Sequence, residues 1–220
     1  MREALIRQNQ KPPIPIDLPN QLLVEGRSAE ILFGTLIDKI GIKDKIQVQN
    51  FRGNNELRNF LHTLKVTSGF DIVVSIGIIR DAENDPSTAF QSVRTALGNT
   101  ELYPPNQPEV FEGDNPRVGV LILPSANEPG MLETLCLRSV SDDSAMKCIN
   151  DYFDCLEEHS NTLPKVMDKA RIQAFLASRE RTIWLLGEAA QSGYWQWDSP
   201  AFDHVKRFLT SLASSCTPTQ

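Results

Sequence analysis

The order of apolar and polar residues along the first two thirds of the chain predicts strands that alternate with helices. NQLLVEG at 20–26 is a short apolar run that predicts a first strand, and the alternating KIQVQNF at 45–51 predicts a second. GFDIVVSIGII at 69–79 and RVGVLILP at 117–124 are continuous apolar runs, and the first of them is apolar on both faces. Such runs are typical of buried strands in a parallel sheet.

Between these strands lie segments in which apolar residues recur at the spacing of a helix. Two segments place apolar residues on one helical face: SAEILFGTLIDKIG and, at 54–65, NNELRNFLHTLK. In the first of them we expect Ser28 as the N-cap and Gly41 as the residue that ends the helix. Asp85-Pro86 is typical of a helix start, and the pattern after Asp142 is mostly helical. We therefore predict an α/β fold with a mainly parallel four-stranded sheet flanked by helices and a helical C-terminal extension. The expected segments are an N-terminal arm over 1–19, a core over 20–140, and an extension over 141–220 packed on that core.

Composition and charge narrow the class of protein. The chain is 40% hydrophobic and 23% charged, with a net charge of −6, which argues against a protein that coats duplex DNA through a basic surface. No apolar stretch has the length of a membrane helix and the N-terminus lacks the features of a signal peptide, so we expect a cytoplasmic protein. The cysteines form no CxxC pair and are not at zinc spacing from a histidine, which favours free thiols: Cys136, Cys148, Cys155 and Cys216.

Acidic residues follow three of the predicted strands: Glu25, Asp81, Glu83, Asp85, Glu128 and Glu133. Because the carboxyl ends of parallel strands meet at one edge of a sheet, we expect Glu25 and Asp81 to face a common crevice if their strands are neighbours. Oxygen ligands of this kind suit Mg²⁺ or Mn²⁺, which would screen the repulsion between the carboxylates. Arg52, Gly53 and Asn54 follow the second strand at the same edge and would contact a phosphate.

Simpler interpretations remain open for each of these groups. An acidic loop after a strand is often only a solvated turn, and the same holds for residues 52–54. An EF-hand is rejected because Pro86 and Ser92 occupy the positions that need glycine and glutamate. A phosphatase of the aspartyl-phosphate type would carry its D-x-D after the first strand, where this chain has a lone glutamate. A receiver domain, with acids after strands one and three, remains a rival.

LLVEG followed by a helix, together with an apolar strand that runs into Asp81-Ala82-Glu83, resembles the Toprim domain of topoisomerases, primases and nucleases. VLILPSANEPGMLE resembles in particular the OLD-type (overcoming lysogenization defect) nucleases and their small stand-alone Toprim relatives. The resemblance covers residues 20–140 well, and the helical tail up to the C-terminus also looks like that of the stand-alone relatives. It implies a Toprim-like fold and a Mg²⁺-dependent, nuclease-like activity on phosphodiesters.

The resemblance also implies roles for single residues. Glu25 matches the glutamate that acts as general acid/base or metal ligand, and Asp81 matches the first member of the magnesium-binding D-x-D. Glu83 replaces the second aspartate and reaches about one methylene further. Glu128 or Glu133 matches the acids that OLD-like nucleases carry after the next strand.

A late lysine for transition-state charge is implied as well, and Lys169 in DKAR is the candidate; an ordinary exposed helix lysine is the alternative. Many relatives have a further acid at the position of Ala29, and no ATPase half occurs in these 220 residues. Two other functions therefore stay open beside the nuclease: a non-catalytic Toprim-like subunit that binds a partner such as an ATPase, and a binder of a phosphorylated small molecule.

Overall fold

Parallel strands form a single four-stranded sheet in the computed structural model, which describes residues 13–53, 56–160 and 162–214. The strands are β1 (Asn20–Val24), β2 (Ile46–Asn50), β3 (Ser75–Asp81) and β4 (Arg117–Leu123). Their order across the sheet is β2-β1-β3-β4, with β1 and β3 at the centre and every pair parallel. The predicted α/β class and the parallel four-stranded sheet are confirmed.

Helices follow each strand and continue to the end of the described chain. They are α1 (Gly26–Lys39), α2 (Leu57–Lys65), α3 (Pro86–Gly98), α4 (Leu132–Ser139), α5 (Ser144–His159), α6 (Met167–Ala177), α7 (Leu186–Gln191) and α8 (Asp203–Ala213). Short 3₁₀ turns lie at Lys43–Lys45, Phe70–Ile72 and Pro200–Phe202. This element order is the predicted one, with α7 as an additional short helix.

The sheet is covered on both faces because successive residues of each strand point to opposite sides. Leu23, Ile76 and Ile78 share a buried cluster with α2 and α3. The other face of the sheet carries a larger buried cluster. It contains Leu22 and Val24 of β1, Leu121 and Leu123 of β4, and side chains from α1 and from α4 to α8. The helices after residue 140 therefore supply much of the cover for this second face.

The boundaries of two predicted elements differ from the expected ones. Residues 70–72 form a 3₁₀ turn rather than strand, so β3 starts later than predicted and extends through Asp81. Gly69 has a φ of 89°, which interrupts extended backbone at this point. α1 starts at Gly26, and Glu25 rather than Ser28 occupies the N-cap position, without a side-chain cap hydrogen bond.

The described part of the N-terminal arm is held by glutamine side chains of β2. Gln49 Oε1 accepts the Ile14 backbone N–H at 3.1 Å, and Gln47 Oε1 accepts the Asp17 N–H at 2.9 Å. Gln49 in turn donates to the buried Gln21 of β1 at 2.9 Å. These bonds place Ile14 beside the carboxyl half of β2, where it helps to line a surface cavity.

The cysteines and the helix lengths test two of the expectations from composition. Cys136, Cys148 and Cys155 are free thiols, of which the first is buried, while Cys216 lies outside the described residues. Within the described ranges, no helix combines the length and the apolar character that crossing a membrane requires.

Candidate functional site

The carboxyl ends of β1, β3 and β4 meet at one edge of the sheet, and acidic residues gather there. β1 and β3 pair directly, with Leu23 opposite Ile78, so Glu25 and Asp81 follow neighbouring strands. This is the adjacency on which the sequence hypothesis of a common crevice depended. The first turn of α4, which contains Glu133, closes the same edge.

Asp81 is the centre of this group. Its Oδ1 accepts the backbone N–H of Leu132 at 2.9 Å, which fixes the carboxylate against the start of α4. Burial, followed by the negative charges of Glu133 and Glu83 and more weakly of Glu25, raises the pKa of Asp81 to about 7, although the Leu132 N–H opposes this shift. The negative charges of these three glutamates therefore act on Asp81, and we call the four residues the acidic cluster (Glu25, Asp81, Glu83 and Glu133).

Backbone hydrogen bonds join the loop after β3, which carries Glu83, to the loop that leads into α4. Glu83 N–H donates to the Gly130 carbonyl at 2.8 Å, and Gly130 N–H donates to the Glu83 carbonyl at 2.9 Å. Glu83 has a φ of 53°, a backbone angle that is uncommon for residues other than glycine, asparagine and aspartate. The loop after β3 is thus bonded to the loop that leads into α4, whose first turn contains Glu133.

Arg80 is a functional candidate that the sequence reasoning missed. It is only 8% exposed and its Nη1 donates to Glu25 Oε2, which forms a salt bridge between β3 and the end of β1. Its buried Nε has no hydrogen-bond partner in the described structure. The available signal was an arginine inside the most apolar strand of the chain, immediately before Asp81, since a buried arginine is rare unless paired.

Two predicted metal ligands have other partners. Asp85 is exposed and caps α3, where its carboxylate accepts the N–H groups of Ser87 and Thr88 at 3.0 and 3.3 Å. Glu128 is bound by both terminal nitrogens of Arg138, with Nη2 at 2.8 Å from Oε2, and this hydrogen bonding lowers the pKa of Glu128. Neither carboxylate contributes to the raised pKa of Asp81.

Lys169 lies on α6, exposed to solvent, beside a contact that joins α6 to α4. Asp168 accepts a hydrogen bond from the Thr134 hydroxyl, and that hydroxyl also accepts the Met131 N–H at 3.1 Å. The start of α6 is therefore anchored at Thr134, two residues after Leu132, whose backbone N–H donates to Asp81. The sequence reasoning selected Lys169 but missed the Thr134–Asp168 contact, which no local pattern indicates.

Of the predicted phosphate contacts, Arg52 and Gly53 follow β2 and Asn54 lies outside the described residues. Arg52 lines a cavity of about 400 Å³ beside the first turn of α1. This cavity lies on the β2 side of Glu25, whereas Asp81 and Glu83 lie on the β3 side. The two features are thus neighbours along one edge of the sheet.

The chemistry of the acidic cluster suits a hard divalent cation because all of its side-chain donors are carboxylate oxygens. The raised pKa of Asp81 reports the excess negative charge that such a cation would relieve. In the part of the chain that the structure describes, no three histidine, cysteine or acidic side chains are positioned to hold a metal ion. The donors therefore fit a divalent cation chemically, and binding would require rotation of the surface carboxylates toward Asp81.

Comparison with known proteins bears on the fold. A family model described as a protein of unknown function, DUF3226, matches residues 19–214. The C-terminal region of the Xanthomonas campestris pv. campestris OLD protein, phased with mercury, is 13% identical with a TM-score of 0.50, and the match covers 89% of this chain and 95% of that one. A platinum-phased structure of the same region gives 14% identity and a TM-score of 0.41, covering 89% and 92%. No curated protein sequence matches the chain.

The likeness to the mercury-phased structure concerns the fold alone, given its low identity. It agrees with the parallel sheet, the helices on both faces and the C-terminal helix of this chain. The chain therefore has the Toprim-like α/β fold that its sequence predicted.

Proposed function

The chain belongs to the DUF3226 family of proteins of unknown function, and we propose that it is a Toprim-type, Mg²⁺- or Mn²⁺-dependent protein that cleaves phosphodiesters. The observation that carries the proposal is the carboxylate of Asp81, whose pKa is raised to about 7 by burial and by the negative charges of Glu133, Glu83 and, more weakly, Glu25. A buried carboxylate surrounded by other carboxylates is unfavourable without a cation, and such groups are concentrated at functional sites.

Asp81, Glu83 and Glu133 are the residues that would hold the cation. Asp81 is fixed by the Leu132 N–H, Glu83 lies on the loop after β3, and Glu133 lies in the first turn of α4. When bound there, a divalent cation would neutralise the charge of the phosphodiester and activate the attacking water. Asp85 and Glu128 have a supporting role at most in this scheme, since a helix cap and an arginine engage them.

Glu25 is the proposed general acid/base, and Arg80 is the residue that positions it. The salt bridge from buried Arg80 holds the Glu25 carboxylate at the end of β1. From there it would accept a proton from the attacking water, and Arg80 would balance the negative charge of the phosphodiester. Lys169 remains a candidate for transition-state charge, on a helix anchored through Asp168 to the start of α4.

Two observations favour a second candidate function, a non-catalytic Toprim-like subunit that binds a partner protein such as an ATPase. Glu25 already pairs with Arg80, which is an arrangement that also serves stability alone. Trp184 is 69% exposed, and Leu185 beside it is 38% exposed, so an apolar surface is available for a partner. A subunit of this kind would form a stable complex and cleave nothing.

Calorimetric titration with Mg²⁺ and Mn²⁺, paired with cleavage assays on supercoiled DNA, single-stranded DNA and RNA, tests the proposal. Asp81→Asn should lose the cation-binding heat and the cleavage together. Glu25→Gln should keep the cation-binding heat and lose cleavage by about 100-fold or more, as expected for a general base. Asp85→Asn is the matched control and should resemble the wild type in both measurements.

The outcomes separate the candidates. Cleavage that persists unchanged in Asp81→Asn, purified in parallel, would identify a contaminating nuclease and remove the support for the proposal. Cation binding without cleavage of any of the three substrates would favour the non-catalytic subunit. Absence of cation binding to the wild type at millimolar concentrations would rule out the metal-dependent mechanism.

A further inference from the structure

The cavity beside the first turn of α1 has the dimensions of a ligand site. Its volume is about 400 Å³, within the range of pockets that hold small molecules. Gly26 and Arg27 form one wall, and Asn50 and Arg52 form another. Val48 and Phe60, together with Ile14 of the arm, supply an apolar lining.

The charges in this cavity are opposite to those of the whole chain. The chain carries a net charge of −6, yet the cavity is lined by two arginines, Arg27 and Arg52, against a single acid, Glu30. Glu30 accepts a hydrogen bond from Asn50 Nδ2 at 3.1 Å. Arg27 is exposed to solvent. The lining of the cavity therefore has an excess of positive charge, and the acidic cluster lies next to it along the edge of the sheet.

Asn50 holds both walls of the cavity in place. Its Oδ1 accepts the backbone N–H of Gly26 and the backbone N–H of Arg52, each at 2.9 Å. Arg52 has a φ of 63°, which is uncommon for arginine and depends on the surrounding contacts. One side chain thus connects the end of β2 to the start of α1 and sets the position of Arg52.

The cavity adjoins the acidic cluster. Gly26 directly follows Glu25, and β1 separates β2 from β3. The ends of β2 and β3 are therefore two strand spacings apart, about 10 Å. A nucleic-acid strand that crosses this edge with one phosphodiester at the acidic cluster would place an adjacent nucleotide at the cavity.

We infer that the cavity binds the nucleotide next to the phosphodiester at the acidic cluster in a single-stranded nucleic acid, with its phosphate on Arg27 and Arg52. The apolar lining by Ile14, Val48 and Phe60 receives the base or sugar. This inference rests on the proposed function and adds the class of substrate, since only a single strand presents a nucleotide that is free to enter a cavity. Arg27, which the sequence reasoning did not select, is the residue that tests it.

Fluorescence anisotropy with a 5′-labelled single-stranded DNA 12-mer, measured on the full chain in EDTA, is the first test. Arg27→Ala should bind about tenfold more weakly than the wild type, because one charge-assisted contact is lost. The slope of log K against log salt should fall by about 0.7, the value for one phosphate contact to a single strand. Arg58→Ala removes an exposed arginine that does not line the cavity, and should keep the wild-type affinity and slope.

Competition distinguishes a nucleotide site from a simple anion site. Adenosine 5′-monophosphate should displace the labelled 12-mer at a lower concentration than inorganic phosphate does, because it also uses the apolar lining. Equal competition by both would overturn the assignment of a nucleotide. Equal losses in Arg27→Ala and Arg58→Ala, unchanged binding by Arg27→Ala, or no binding of the 12-mer by the wild type would each overturn the site itself.

Failure of this inference is distinguishable from failure of the proposed function. The 12-mer is bound in EDTA, so the measurement does not depend on a cation. Arg27→Ala should retain the Mg²⁺- and Mn²⁺-binding heats of the wild type, since Arg27 lies outside the acidic cluster. Loss of 12-mer binding with intact cation binding supports the cavity, whereas absence of cation binding in both proteins counts only against the metal-dependent mechanism.

Discussion

Arg80 and Asp81 are consecutive residues of opposite charge, and they serve opposite faces of β3. Consecutive side chains in a strand point to opposite sides. Arg80 reaches the Glu25 carboxylate of the neighbouring strand, whereas Asp81 is bonded to Leu132 at the start of α4. The end of this strand therefore places the positive guanidinium of Arg80 on one face and the Asp81 carboxylate, whose pKa is raised, on the other.

The raised pKa of Asp81 predicts a specific dependence of stability on pH. Its pKa moves from an ordinary 3.8 to about 7 in the folded protein, so between these values the folded state retains a proton that the unfolded state releases. Stability should therefore fall as pH rises from about 4 to 7 and then level off. Asp81→Asn should remove this dependence and raise the free energy of unfolding at pH 8 by about 1–3 kcal/mol, given roughly 1.4 kcal/mol per pKa unit and partial screening.

Urea denaturation at pH 5 and pH 8 measures this effect, with Asp85→Asn as the control. Asp85 has a lowered pKa because Thr88 and Ser87 donate hydrogen bonds to it, and asparagine is also a good N-cap. Its substitution should therefore give no gain in stability at pH 8. A wild-type stability that rises from pH 5 to pH 8, or an Asp81→Asn variant less stable than wild type at pH 8, would contradict the electrostatic description of the site.

Paired glycines shape the contact between the sheet and its helical cover. Gly77 of β3 lies opposite Gly119 of β4. Phe111 lies on Gly119, where an added methyl group would be 2.8 Å from its ring carbons, and the same ring stacks on Phe208 of α8 at 4.9 Å between centroids. The glycines thus provide the flat surface on which the aromatic pair packs.

Gly119→Ala should lower the free energy of unfolding by about 1–3 kcal/mol, because the methyl group overpacks this contact. Gly34→Ala is the matched substitution within α1, where the added methyl group meets nothing within 4 Å. It should raise the stability by about 0.5–1 kcal/mol, since alanine favours a helix over glycine. Thermal and urea unfolding of both variants checks this, and a neutral Gly119→Ala would show that Phe111 can move aside freely.

Features that depend on local pattern were predictable from the sequence, and features that depend on pairing between distant segments were not. Three strands follow from apolar runs, β2 follows from alternating apolar and polar residues, and the cap at Asp85 follows from the Asp-Pro pair. The early start predicted for β3 was wrong because residues 70–72, which precede the apolar run without a break, form a 3₁₀ turn after Gly69. The Arg80–Glu25 salt bridge depends on strand order and register, which the residues themselves do not encode locally.

At the scale of the whole molecule, two kinds of cation effect must be separated. The net charge of −6 means that any salt screens repulsion within the fold, whereas the acidic cluster would bind a divalent cation specifically. A cation that binds only the folded state stabilises it by about 2.7 kcal/mol at a concentration 100 times its Kd. Binding also requires deprotonated carboxylates, so it competes with the proton on Asp81 around pH 7.

We therefore predict that MgCl₂ raises the Tm of the wild type more at pH 8 than at pH 6, and more than NaCl of equal ionic strength does. The excess over NaCl should disappear in Asp81→Asn and persist in Asp85→Asn and Arg27→Ala, because neither Asp85 nor Arg27 belongs to the acidic cluster. Differential scanning calorimetry of the four proteins in both salts at both pH values measures these shifts. If MgCl₂ and NaCl act alike on the wild type at pH 8, the cation effect is screening alone, and the acidic cluster has no affinity that could support catalysis.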